Sequence, residues 1–261
     1  MKSSVNHRTR VLMLGGTSEA GALASRFAAD DRFEATLSLA GRTAHPLAAP
    51  MPSRIGGFGG ADGLAAYLVD HDIGVVLDAT HPFAAQISIN AIEACRQTGV
   101  PLIALERPAW IEEGGDTWQR YASVEGAIAA LPSTPIRVFS GLGRLSLDAL
   151  QAAPQHHWVI RVIDPLAGPL RLPHASIITA RGPFKTEDDV ALFQTHSIEA
   201  VLAKNAGGEA AYSKIAAARQ LGLPVYLIDR PAIPPRDVVR TVDEAWAKLC
   251  AHHASPAERG V

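Results

Sequence analysis

Cysteine and lysine are both scarce in this chain. The two cysteines, Cys95 and Cys250, stand in alanine-rich helical surroundings. They are too few for a disulfide framework or a Cys-based metal site and read as small buried hydrophobes; no metal is expected. Only five of the 24 basic residues are lysine and the rest are arginine. The planar guanidinium suits carboxylate and phosphate ligands, although a GC-rich genome gives the same bias with no ligand involved. A formal net charge of −2 argues against nucleic acid as a partner, because phosphate-backbone binders present a basic face. No stretch approaches the roughly 18 uninterrupted apolar residues of a membrane helix, and Met1–Thr9 is polar. A cytoplasmic protein with no membrane partner is therefore expected.

Several motifs are missing as well. There is no G-x-x-x-x-G-K-[ST] for ATP, no H-E-x-x-H, no G-x-S-x-G and no Tyr-x-x-x-Lys pair. Hydride transfer borrowed from a cofactor remains open as chemistry.

What is there is globular: 261 residues, 48% hydrophobic and 19% charged. Short apolar runs alternate with helical patterns. Val11–Leu14, Phe33–Leu39, Ile73–Leu77 and Leu102–Leu105 read as strands, and Glu19–Ala29, Gly63–Asp70 and Ala84–Gln97 as helices. A second series follows, with strands at Ile136–Phe139, Trp158–Val162, Ile177–Thr179, Val201–Leu202 and Val225–Ile228. Its helices are expected near Leu145–Ala152, Glu187–Phe193, Ala210–Leu221 and Thr241–Leu249. Such alternation implies parallel sheets covered on both faces.

The two series repeat one another. A shift of 123 positions lays Ala91–Pro101 on Lys214–Pro224 and Arg107-Pro108-Ala109 on Arg230-Pro231-Ala232. A helix ending in Gly before a Pro explains the shared Gly and Pro, but not the matched Arg-Gln before them or the Arg-Pro-Ala after. Capped helices follow each Arg-Pro, at Ser123 and at Thr241. The expectation is an α/β protein of two Rossmann-like parallel-sheet halves related by internal duplication, with a ligand cleft between them. The expected divisions are 1–112 for a nucleotide-binding half, 113–254 for the second half, and a frayed tail at 255–261.

The first chemical motif is the turn Gly15-Gly16-Thr17-Ser18-Glu19 after the first strand. Glycines let a phosphate approach the backbone, and a helix N-terminus meets it with free amides. Ser18 as a plain N-cap is the alternative. NAD-preferring proteins place a carboxylate at the end of the second strand. Here the segment is Ser38-Leu39-Ala40-Gly41-Arg42-Thr43, which would welcome a 2′-phosphate and points to NADPH. The loop Gly56-Gly57-Phe58-Gly59-Gly60 offers one aromatic on a backbone able to approach a flat ligand, with a flexible linker as the bland account.

Asp78-Ala79-Thr80-His81-Pro82 follows the strand Ile73–Leu77, at a carboxyl end where a Rossmann crevice opens. His81 could hold the nicotinamide or donate a proton, or could be a merely satisfied side chain beside a helix cap. The repeat places Lys204 and Asn205, before Gly207-Gly208, at the corresponding point of the second half. Lys204 is a candidate anion or proton-donor residue. Arg107, Trp110, Arg144 and Gly182 are further candidates for the same cleft.

Taken in order, Gly-Gly-Thr-Ser-Glu-Ala, Ser-Leu-Ala-Gly-Arg-Thr, Gly-Gly-Phe-Gly-Gly-x-Asp-Gly-Leu, Asp-Ala-Thr-His-Pro-Phe-Ala, Glu-Arg-Pro-Ala-Trp and Lys-Asn-x-Gly-Gly resemble the precorrin-6A reductase family of cobalamin biosynthesis. The resemblance implies NADPH-dependent reduction of one carbon–carbon double bond in a polycarboxylate tetrapyrrole. It implies cofactor contacts by Gly15, Thr17, Ser18, Ser38, Arg42, Thr43, Thr80 and His81, joined by their motif neighbours Gly16, Glu19, Gly41, Gly57, Asp78, Ala79 and Pro82. Substrate contacts are expected from Lys204, Asn205 and Gly207, with Phe58, Arg107, Trp110, Arg144 and Gly182 beside them. His81 and Lys204 are the candidate catalytic residues, with water as an alternative proton source, and hand-over to neighbouring pathway enzymes is possible. Alternatives are a cobalt-precorrin-6A reductase, a non-catalytic dinucleotide-binding redox sensor and a sugar-nucleotide enzyme. The family often carries Ser where this chain has Ala206, so a hydroxyl role there is not carried over.

Overall fold

The computed structural model describes residues 8–41, 49–166, 168 and 170–254. Arg42, Thr43 and the tail 255–261 lie outside the described residues. Along the chain run β1 (Thr9–Leu14), α1 (Ser18–Ala28), β2 (Phe33–Leu39), β3 (Ser53–Ile55), α2 (Ala61–Asp70), β4 (Val75–Asp78), α3 (Ala85–Thr98), β5 (Leu102–Leu105), β6 (Trp118–Tyr121) and α4 (Val124–Ala129). There follow β7 (Arg137–Ser140), two 3-10 turns (Arg144–Ser146 and Asp148–Ala152), β8 (His157–Val162), β9 (Ala175–Thr179), α5 (Thr186–Thr195), β10 (Ala200–Lys204), α6 (Ser213–Leu221), β11 (Val225–Ile228), β12 (Val238–Val239) and α7 (Val242–Ala254).

Two six-stranded sheets result, of order β12-β5-β4-β1-β2-β3 and β6-β11-β10-β7-β8-β9, with every paired ladder parallel. The first five strands of each sheet correspond one to one, as the duplication expects. The sixth do not stay at home. β6, which follows the first Arg-Pro, pairs with β11, while β12, which follows the second, pairs with β5. Each repeat thus gives its last strand and helix to the other sheet.

The compact units are accordingly 1–107 with 232–261, and 108–231. This corrects the expected boundary at 112 and the assignment of everything up to 254 to the second half. Composition carries no mark of the exchange, because β12 is two residues long and its pattern is short of any period.

In the first unit, one apolar layer joins Val11, Met13, Leu77 and Leu105 to Leu23 and Phe27 of α1 and Leu249 of α7. The opposite face packs Leu12, Leu14 and Val76 on Leu64 of α2 and Ala91 and Cys95 of α3. Both-face burial explains why these strands read as continuous apolar runs. α3 and α6 end at Gly99 and Gly222, each left-handed, at φ 73° and 65°, so the shared Gly before Pro is a helix stop. Cys95 is buried and free, its thiol pushed up to about 12 by burial and then by Asp78. Cys250 is only half-buried and accepts a hydrogen bond from Arg32 at 3.3 Å, which corrects its reading as a buried hydrophobe.

In the second unit the expected helix at Leu145–Ala152 is the pair of 3-10 turns. Gly143 precedes them with no side chain to cap a helix, Pro154 closes the segment, and i to i+3 bonds such as Leu150 N–H to Leu147 O replace the α-helical ladder.

Candidate functional site: the carboxyl ends of the strands

The order 3-2-1-4-5-6 has its switch point between β1 and β4, and ligands of such sheets lie outside the carboxyl ends there. In the first unit the two chains leaving that point are tied together. The Gly15 N–H donates to Ser38 O at 3.0 Å and the Ala79 N–H to Leu14 O at 2.9 Å. A Cβ on Gly15 would lie 2.4 Å from Leu37 Cδ1 and 3.2 Å from Ala20 Cβ, so a larger residue here would have to push Leu37 aside and crowd the start of α1. The N-cap is Thr17 and not Ser18. The Thr17 hydroxyl accepts the Ala20 N–H at 3.2 Å and donates to Ala79 O at 2.8 Å, fastening the first turn of α1 to the end of β4.

Ser18 and Glu19 occupy that first turn. The Glu19 carboxylate takes the Ser18 hydroxyl at 2.9 Å and the Arg107 guanidinium at 2.8 Å. Burial favours the neutral acid, but Arg107 and the hydrogen bonds together outweigh it and hold Glu19 below its ordinary pKa. A small pocket lies here, lined by Thr17, Glu19, Thr80, Pro82, Leu105 and Arg107. Arg107, expected on a substrate, stands at this turn, just past the end of β5, and pairs with Glu19.

At the end of β4, Asp78 is buried, and its Oδ1 accepts the Thr80 N–H at 3.1 Å and the Thr80 hydroxyl at 2.7 Å. Its Oδ2 is buried with no hydrogen-bond partner. Asp78 therefore shapes the turn that carries Thr80 and His81. The Phe83 N–H donates to His81 Nδ1 at 3.2 Å, so the neutral ring carries its proton on Nε2. Pro82 is buried behind it.

At the ends of β2 and β3, Ser38 is buried and Gly41 is left-handed at φ 70°. Sequence reasoning missed Arg54. Its Nη1 donates to the Ser38 hydroxyl at 2.8 Å and to Gly56 O at 3.0 Å, and its Nη2 to Gly57 O at 3.0 Å. The guanidinium carbon lies 3.9 Å from the Phe58 ring centroid, so Phe58, expected on a substrate, is engaged with Arg54 and with Tyr67. The only signal in the sequence was one Arg before a glycine-rich loop.

In the second unit the equivalent point is the end of β10. Lys204 Nζ donates to the Ser146 hydroxyl at 3.2 Å. Asn205 is buried with its amide fully used: Oδ1 accepts the Trp110 N–H at 2.8 Å and Nδ2 donates to Trp110 O at 3.1 Å. Trp110 Nε1 donates to Gly208 O at 2.7 Å, and Arg230 caps Asn205 O and Ala206 O. Gly207, at φ 67°, has no room for a Cβ, which would come 2.1 Å from Pro108 O. Trp110, Asn205 and Gly207 thus build the loop that presents Lys204. Arg144 and Gly182 are exposed.

Among the described residues no phosphate cradle repeats in this unit. The space beside Gly141 is taken by the Lys214 side chain, whose Cδ would lie 3.1 Å from a Cβ at that position, and 3-10 turns stand where α1 would be. Arg161 is instead buried against Asp189 at 2.5 Å, with the Ser213 hydroxyl on the same carboxylate at 2.6 Å.

A doubly wound parallel sheet with a glycine turn and a capped helix N-terminus at its switch point defines a Rossmann-type nucleotide-binding protein. The precorrin-6x reductase CbiJ/CobK family matches residues 10–250, and the chain belongs to that family, oxidoreductases of cobalamin biosynthesis. The precorrin-6A reductase of Rhodobacter capsulatus is 52% identical over 97% of this chain and 100% of its own length. That of a Sinorhizobium species is 48% identical over 98% and 97%. The solved structure of CobK precorrin-6A reductase superposes with a TM-score of 0.90 at 51% identity, covering 97% of this chain and 100% of its own. The cobalt-precorrin-6A reductase of Methanothermobacter thermautotrophicus is 29% identical over 85% and 77%. A nicotinamide dinucleotide is the cofactor class, and the first unit fits it: Gly16, at φ 121° with nothing within 4 Å of a Cβ, leaves the backbone open just before the capped N-terminus of α1. Among the described residues no helix is long and apolar enough to cross a membrane.

Proposed function

We propose that this chain is a cytoplasmic enzyme that reduces precorrin-6A to precorrin-6B with NADPH. The observation that carries the reading is the cradle at Gly15–Glu19 beside a second-strand end with no carboxylate, in a chain 52% and 48% identical to proteins named precorrin-6A reductase. Relatives named for the cobalt-containing substrate are 29% identical or less, which favours the metal-free precorrin over its cobalt counterpart.

When bound, the nicotinamide supplies the hydride. The chain does the rest. Gly15, Gly16 and the first turn of α1 hold the pyrophosphate, with the Glu19 charge offset by Arg107. Ser38, Gly41, Arg42 and Thr43 hold the adenosine end. Asp78, through Thr80, sets the turn on which His81 offers Nε2–H to the nicotinamide amide or to the reacting region. Lys204, presented by the Trp110–Asn205 loop, offers an ammonium for a substrate carboxylate or a proton to the carbon next to the one reduced, with water as the other donor.

Anaerobic incubation with NADPH and precorrin-6A tests this. The macrocycle spectrum and the NADPH absorbance should change together, one cofactor oxidised per macrocycle reduced; no change in either overturns the reading. Arg42→Ala should weaken NADPH far more than NADH, and an equal loss for both would remove the 2′-phosphate role of Arg42.

A further inference from the structure

Arg54 is the one cationic side chain described at the carboxyl ends of β2 and β3, and no motif singled it out. It is the ladder partner of Ser38, with Leu39 and Ile55 paired next to them, so both residues sit one position from the ends of their strands, on the side where such sheets bind ligands. Its three hydrogen-bond acceptors are neutral oxygens, those of Ser38, Gly56 and Gly57, and among the described residues it pairs with no carboxylate. Phe58 covers one face of the guanidinium at 3.9 Å and Tyr67 stands at 5.3 Å. The result is a half-buried cation with its fork fixed in place and its charge uncompensated. A phosphate monoester is the ligand chemistry that completes it, since the rigid planar guanidinium pairs with phosphate by charge-assisted hydrogen bonds.

We propose that Arg54, together with Ser38, is a second contact for the 2′-phosphate of the dinucleotide and a determinant of NADPH over NADH; this rests on the NADPH reading above. Fastening the glycine loop is a second consequence of the same three hydrogen bonds, and the two roles separate experimentally. A merely structural Arg54 would matter equally to every adenine nucleotide. A phosphate contact matters only to those carrying the 2′-phosphate.

The test is calorimetric titration of the full chain, and of its Arg54→Gln and Arg54→Lys variants, with 2′,5′-ADP and with 5′-ADP, alongside thermal melts. Arg54→Gln should weaken 2′,5′-ADP by at least about tenfold while changing 5′-ADP by less than about twofold. Arg54→Lys, which keeps the charge but loses the fork, should show a smaller loss confined to 2′,5′-ADP. An equal loss for both ligands, or none for either, overturns the proposal. Should the Gln variant fail to fold, the Lys variant decides on the same criterion. A wild-type chain that binds 5′-ADP as tightly as 2′,5′-ADP would sink the NADPH reading and this inference together, whereas wild-type preference left intact by both variants would sink the Arg54 role alone.

Discussion

Glu19 puts a carboxylate in the first turn of the helix that should receive a pyrophosphate, and Arg107 is what makes that tolerable. Replacing Arg107 by Gln leaves Glu19 uncompensated beside the cradle. NADPH and NADH should then weaken alike, by roughly tenfold, and Glu19→Gln in the same chain should restore most of the loss; fluorescence titration of both cofactors checks this. A loss confined to NADPH would instead move Arg107 to the 2′-phosphate.

The pH sign follows from the same pair. Glu19 ionises at lower pH folded than it would unfolded, so its contribution to stability is present above the unfolded pKa and fades as pH falls through the folded one. Arg107→Gln removes the chief lowering interaction, so the folded pKa of Glu19 rises and the part of the acid-side loss of stability that Glu19 contributes should shrink, read as a flatter acid limb of the melting profile. A glycine turn and a helix start after β1 were legible because strand, glycine pair and hydroxyls announce themselves in order, although the cap read at Ser18 stands at Thr17. The Arg107–Glu19 pair was not legible, since it depends on β5 ending near the start of α1. Arg54 was missed because nothing local distinguishes a stacked guanidinium from a solvated one.

Among the elements, β8, α5 and α6 are joined by a buried charge. Arg161 and Asp189 are 8% and 2% exposed at their side chains, and Ser213 of α6 completes the carboxylate. Asp189→Asn leaves Arg161 with no countercharge and should cost about 3–5 kcal/mol in a urea unfolding experiment; a change below about 1 kcal/mol would mean that water reaches the guanidinium. Polar groups buried this way have no signature in a period-based reading, which gave α5 only as a helix near Glu187–Phe193. The 3-10 turns after β7 were misread as a helix for a related reason: apolar spacing over eight residues is nearly the same in both, and the missing cap and the nearby Pro154 decide between them.

For the whole molecule, the exchange of β6–α4 and β12–α7 makes each unit depend on residues from the other repeat. In the first unit, Trp246 of α7 lies 5.2 Å from Phe27 and 5.4 Å from Phe33, and Arg236 pairs with Glu106 at 2.7 Å. A chain ended after Pro231 should therefore lose dinucleotide binding and the folded signature of the first unit, although every cradle residue is still present; nucleotide titration and amide exchange would show it. Retained binding would mean that five strands suffice. The filled space beside Gly141 further predicts one dinucleotide per chain, measurable as the stoichiometry of a calorimetric titration, and a value of two would restore the second unit as a nucleotide site.

Local pattern by itself determined the α/β class, the parallel sheets, the duplication and the glycine turn before α1, because strand periodicity, helix stops and a glycine turn are short-range properties of the chain. Only the tertiary structure decided which sheet receives the last strand of each repeat, that Arg107 neutralises Glu19, that Asn205 and Trp110 bind each other, and that Arg54 stands over Phe58. Those outcomes depend on contacts between residues far apart in sequence, whose strength comes from burial and from the pairing of charges, and neither exists until the sheets have formed.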